Sequence, residues 1–227
     1  MVPLRSCLAA LVLLCGTLPS ARASTNLTDW LTAQSNIQTW SADFVQTRTL
    51  KALVQPLKSE GHIWFATPDR FHWELGRPAQ TIAVRTTNAL LIIYPKLKRA
   101  ERYPLSGNES GQWRDMLSLL EAGFPRSKAE LESRFQALSV SERDGQCSVV
   151  LQPKSSQARR WIREIEIAFK TNDYSLAATE LRFSDGSALR NDFVNPVINK
   201  RVETALFSPT IPADYTVVEP LTRTRRP

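Results

Sequence analysis

The stretch Gly61-His-Ile-Trp-Phe-Ala-Thr-Pro-Asp-Arg-Phe-His-Trp-Glu-Leu75 decides how this chain folds. Ile63 and Phe65 alternate with less apolar neighbours before Thr67-Pro68-Asp69. Phe71, Trp73 and Leu75 alternate with Arg70, His72 and Glu74 after it. A period of two with large aromatics on one side predicts half-buried antiparallel strands. Proline presets φ for a turn and aspartate supports it locally, so the two runs fold back as a ribbon with one aromatic face.

The pattern continues on both sides. Upstream, Trp40, Ala42, Phe44 and Gln46 read as a strand, joined to the ribbon by a long connection over 52–59 that contains Pro56. Downstream, Gly76-Arg77-Pro78 turns the chain into 80–85, where Ile82 and Val84 alternate with polar residues. Thr87-Asn88 turns again into the apolar run 89–94, whose face parity the sequence leaves open, and 98–103 adds a further strand. From Phe135 onward, turns at Asp144-Gly145, Asn172-Asp173 and Asp185-Gly186 separate strand-like runs in a meander. Two helical segments interrupt the β pattern. Leu27, Trp30 and Leu31 mark a helix within 25–39. Trp113, Met116, Leu117 and Leu120 mark another inside an insertion over 107–135, where Ser127 and Glu130 form a capping-box pattern for a further short helix. The expected fold is mainly β (α+β): one domain of about ten antiparallel strands in a sheet long enough to curl or close, with a short helical lid.

Residues 1–23 read as a secretory signal. Arg5 supplies the positive n-region, the apolar run 8–14 is too short to span a bilayer, and Ala21-Arg22-Ala23 is a small-x-small cleavage site that leaves Ser24 first. A competing reading makes Cys15 a lipid-attachment site, although Leu14 before it is larger than such sites favour. With the signal go Cys7 and Cys15, leaving Cys147 as a buried filler with no disulfide partner. Arg5 and Arg22 also leave, which takes the net charge from +7 to +5. A positive balance favours acidic partners or anionic membrane surfaces. The excess is scattered over 96–102, 159–163 and 223–226 rather than drawn into a stripe with aromatics, so nucleic acid is not expected as a partner.

Chemistry is sparse. His62 and His72 share the ribbon with no third metal ligand or nucleophile beside them, and no nucleophile elbow, phosphate loop or dinucleotide fingerprint occurs. Glu164 and Glu166 share one strand face and are read as solvated rather than as a glycosidase pair. The expectation is a binding protein without catalytic residues, metal or cofactor. The competing hydrolase reading would use His72 with Glu74 or Asp69.

The ordered set Phe44-x-Gln46, Gly61-x-Ile-x-Phe-x-x-Pro-x-x-Phe71-x-Trp73, Pro78-x-Gln-x-Ile-x-Val84 and Phe207-x-Pro-x-x-Pro before Tyr215 resembles the LolA-type periplasmic carriers of outer-membrane lipoproteins. The resemblance implies an unclosed β-barrel with a helical lid over a hydrophobic cavity. It implies a monomeric periplasmic protein that takes acylated lipoproteins or other lipid cargo from an inner-membrane ABC exporter to a LolB-like outer-membrane acceptor. A lipid-anchored, LolB-like acceptor is the alternative of the same fold. The departures mark a divergent member. Thr67 stands where the family has an arginine that helps to hold the lid closed, and Thr87-Asn88 replaces an Asp-Gly turn. Hydrocarbon needs such shelter, because an acyl chain of about fifteen carbons costs on the order of 10 kcal/mol to expose to water. Phe44, Ile63, Phe65, Phe71, Trp73, Ile82 and Val84 are the expected cavity wall, and Leu31, Met116, Leu117 and Leu120 the expected lid.

Overall fold

A computed structural model describes residues 20–105, 124, 125 and 127–220, with side chains from residue 25 onward. Its frame is a single curled sheet of twelve strands in the order β12-β6-β5-β4-β3-β2-β1-β11-β10-β9-β8-β7. The strands are β1 (Thr39–Thr49), β2 (Leu57–Ala66), β3 (Arg70–Leu75), β4 (Thr81–Arg85), β5 (Ala89–Tyr94), β6 (Arg99–Pro104), β7 (Phe135–Arg143), β8 (Gln146–Pro153), β9 (Ile162–Lys170), β10 (Leu176–Phe183), β11 (Ala188–Ile198) and β12 (Thr216–Val218). Two antiparallel meanders, β1 to β6 and β7 to β11, meet where β1 pairs with β11. The sheet ends at β7 on one side and β12 on the other, so the barrel is unclosed. β12 runs parallel to β6, which makes the sheet mixed where an all-antiparallel one was expected.

The ribbon that opened the reading is β2 and β3, with Ile63 opposite Trp73 and Phe65 opposite Phe71. β2 begins earlier than the sequence pattern suggests. Lys58 and Ser59 pair with Thr47 and Gln46, so the connection expected over 52–59 shortens to residues 50–56. The run Leu90–Ile93 is resolved by its pairing. Leu90 and Ile92 fall on the face of Arg85 and Ala83, and Leu91 and Ile93 on the face of Val84 and Ile82.

Helix α1 (Ser20–Ser35) precedes β1, α2 (Lys128–Arg134) precedes β7, and α3 (Ser156–Arg159) links β8 to β9. The Ser127 hydroxyl accepts the Glu130 N–H at 3.1 Å, the N-cap that the sequence pattern called for. After β11 the chain crosses to the far edge of the sheet through a 3-10 turn (Thr204–Phe207) that packs on β3 and β4. The buried imidazole of His72 fastens this turn, with Nδ1 2.7 Å from the Leu206 carbonyl oxygen and Nε2 3.0 Å from Glu74. The Arg70 guanidinium lies 5.2 Å over the ring of Phe207. The outer face of β3 and β4 is therefore covered by the chain's own C-terminal segment.

Candidate functional site: a half-filled barrel

The inner face of the sheet is divided in two. Around β7 to β9 it is packed solid. Trp30 of α1 lies flat on Phe169, ring centroids 4.9 Å apart at 6°, and Leu31, Ile37, Leu131 and Phe135 fill the space against Val149, Leu151, Ile165 and Ile167. Large side chains interleaved this way leave no room for a ligand.

Around β1 to β5 the inner face holds a cavity of about 720 Å³, within the size range of small-molecule sites. Ile63, Phe65, Phe71, Trp73, Leu75, Ala83 and Ile92 form its wall. Its floor is fixed by Phe44, whose ring centroid is 4.2 Å from that of Trp73 and which is itself buried. That ring occupies the space over Gly61, where a Cβ would fall 2.2 Å from Phe44 Cζ and 2.3 Å from the Glu74 carbonyl oxygen. Only glycine fits there. Phe124, just before α2, closes one end by stacking on Phe65 at 4.5 Å and 10°. The other end is polar, with Gln46, Arg48, Asp185, Ser187 and Asn191. The Gln46 side-chain amide donates to Asn191 Oδ1 at 3.0 Å. A greasy interior with a polar rim suits an amphiphile better than a wholly apolar or wholly charged molecule.

Of the seven residues expected to form the wall, Ile63, Phe65, Phe71 and Trp73 line this cavity. Phe44 supports it from beneath. Ile82 and Val84 alternate with Thr81 and Ala83, which face the cavity, and so lie on the outer face of β4. The expectation placed them on the wrong side because the C-terminal turn covers the outer face, so the two large apolar side chains of β4 lie there and Thr81 and Ala83 face the cavity. Leu31, expected in the lid, is buried in the filled half of the barrel. Met116, Leu117 and Leu120 fall outside the described residues. Phe124, Ala83 and Ile92 were not singled out in the sequence. A phenylalanine held between Gly123 and Pro125 was the available signal for the first, and the apolar run 89–94 for the last.

A family model described as outer membrane lipoprotein carrier protein LolA matches residues 35–210. The chain belongs to the LolA family. An outer-membrane lipoprotein carrier protein of Chromohalobacter salexigens is 24% identical over 201 residues, covering 88% of this chain and 90% of the relative. A conserved protein of Thermus thermophilus shares the fold, with a TM-score of 0.50 and 11% identity over 87% of this chain and 99% of the other. A DUF1329 family protein of Desulfovibrio piger superposes at a TM-score of 0.44 with 10% identity, covering 84% and 98%.

In this LolA-family chain Thr67, in place of the arginine, hydrogen-bonds Gln38 at both backbone and side chain, with distances of 2.9 and 3.1 Å. An arginine does reach the hinge from another strand: Arg85 Nη2 donates to Asp69 Oδ2 at 2.9 Å, in a crevice that Phe124, Glu130 and Arg134 also line. The groups weighed for catalysis each have partners in the framework. His62 Nδ1 is 2.9 Å from Asp43, and hydrogen bonds from His62 and Asn195 hold that carboxyl below the usual aspartate range, helped by the charge of Arg77. His72 has both ring nitrogens occupied beneath the C-terminal turn, and Asp69 is tied to Arg85. Glu164 and Glu166 are not free in solvent, since Arg182 bridges them to Glu180. In the smaller apolar cluster with Phe71 and Leu90, burial pushes the Tyr103 phenol well above its usual range and its hydroxyl donates to Glu101 at 2.7 Å. Among the described residues no cluster of three or more His, Cys, Asp or Glu gathers to hold a metal.

Proposed function

We propose that this LolA-family chain is a periplasmic carrier that shelters the acyl chains of lipoproteins, or of a related lipid, between inner and outer membranes. It takes cargo from an inner-membrane ABC exporter and gives it to a LolB-like acceptor. In this reading residues 1–23 are the export signal and 24–227 the carrier domain. Cleavage after Ala23 would trim the start of α1 and leave Trp30 and Leu31 in place. The observation that carries the proposal is the open, apolar part of the barrel, about 720 Å³ walled by Phe65, Phe71 and Trp73, beside the close-packed core under α1. The relative from Chromohalobacter salexigens, a lipoprotein carrier by name, supports it. Binding of hydrocarbon rather than turnover is the chemistry such a wall offers. The test is titration with a diacylated lipopeptide and with the same peptide lacking its acyl chains. The carrier reading requires saturable binding of the first and none of the second. Equal binding of both, or of neither, would remove it.

A further inference from the structure

The turn between β1 and β2, residues 50–56, has the composition of a membrane-contacting element and sits at the cavity's polar mouth. Val54 stands 101% exposed at its tip, with Leu57 at 51% and Leu53 at 44% beside it. The turn is ordered, with the Leu53 N–H donating to the Leu50 carbonyl at 3.0 Å. Arg48, Lys51 and Lys58 surround these side chains, no carboxylate occurs between residues 48 and 58, and among the described residues the three cations form no ion pair. Across the mouth the Asp185 carboxyl accepts the Ser187 N–H and hydroxyl and also feels the charge of Lys51, which leaves Arg48 and Lys58 as the cations of the turn without a carboxylate beside them. Arg48 and Leu50 also line the cavity. Leu57 shares the inner face of β2 with Gly61 and Ile63. Leu50 therefore joins the cavity's polar mouth to the turn, with Leu57 on the same face beside it.

We propose that this turn docks on an anionic lipid bilayer, bringing the open mouth of the cavity against the membrane. A protein partner would need a complementary surface, yet a side chain with no neighbours of its own offers no pocket or ridge to match. A bilayer needs only apolar side chains to insert and cations to meet its headgroups. The exposed Val194, Val197 and Ile198 lie at the other end of the β1–β11 ladder, where Trp40 pairs with Ile198, far from the mouth. What docking accomplishes, passage of a hydrocarbon tail along Leu57 and Leu50 into the cavity, rests on the carrier reading. The docking itself does not.

The experiment is co-sedimentation of the cargo-free chain with vesicles of phosphatidylcholine alone and with vesicles that also contain phosphatidylglycerol. The chain should partition onto the anionic vesicles and be released by salt. Leu53→Asp with Val54→Asp should lower partitioning by an order of magnitude or more, and Lys51→Gln or Lys58→Gln by about fivefold each. A fluorescent fatty acid serves as control and should bind all of these variants as it binds the parent. Loss of that control binding everywhere would count against the carrier reading and leave the vesicle result standing. If the parent ignores anionic vesicles, or if the double aspartate variant binds them equally well, the tip is not a bilayer contact and the proposal falls.

Discussion

Phe124 lies face to face on Phe65 at 4.5 Å and edge-on to Trp40 at 4.9 Å, so one side chain from the insertion packs on β1 and β2 together at the end of the cavity. Cargo entering along Phe65 must compete with that contact. Phe124→Ala should therefore lower the melting temperature and yet tighten binding of a fatty-acid probe, by up to about tenfold if about 1.4 kcal/mol of competition is removed. Weaker probe binding in this variant would show that Phe124 belongs to the binding wall and not to its cover.

Trp73 and Phe44 are neighbours with opposite roles. Trp73 faces open space, so Trp73→Glu should keep the far-ultraviolet circular dichroism of the parent while losing the probe. Phe44 is 1% exposed, and Phe44→Ala should cost about 3–5 kcal/mol of stability as a large-to-small core change. Comparable unfolding of both variants would mean that Trp73 is ordinary core.

Gly61 lies under the same ring. Because the Glu74 carbonyl oxygen is backbone and cannot swing aside, Gly61→Ala should destabilise by about 1–3 kcal/mol in a urea titration. A neutral outcome would require the β2–β3 ladder to shift.

Cys147 is fully buried and its thiol is pushed up to about 11, chiefly by burial. The thiolate is the reactive form, so at pH 8 the native protein should leave this thiol unlabelled and urea should expose it. Peptide mapping after labelling decides the matter. The same raised value makes the folded state lose stability as pH climbs past the unfolded thiol's range, about 8.5.

Asp43 gives the opposite sign. Hydrogen bonds from His62 and Asn195 lower its affinity for a proton in the folded chain, so its contribution is present above about pH 4 and is lost as pH falls through the depressed folded value. With the side chain 32% exposed, solvent screening limits this to about 1 kcal/mol at most. Asp43→Asn should flatten the acid limb of stability against pH. An unchanged limb would assign acid sensitivity to other carboxylates.

The ribbon of β2 and β3, the turns of the second meander and the cap at Ser127 were legible because each rests on local chemistry: alternation, Asp-Gly geometry and a hydroxyl three residues before Glu130. What the sequence could not show was which apolar face looks inward. Ile82 and Val84 carry the same period as Phe71 and Trp73, but a segment more than a hundred residues later, around Phe207, buries their face. Alternation records that a face is covered and not by what. Leu31 was misplaced for a related reason, since a helix stripe packs equally well as a plug or as a lid. The vacancy beside it is a property of shape that no single residue carries.

The central claim is that hydrocarbon occupies the space in front of Trp73. The most direct measurement is tryptophan quenching by a fatty acid brominated along its chain, compared between the parent and Trp73→Phe. The account predicts strong saturable quenching in the parent and loss of most of it in Trp73→Phe, with binding retained by a competing fluorescent probe. Quenching that survives intact in Trp73→Phe, or a parent that is not quenched at all, would contradict it.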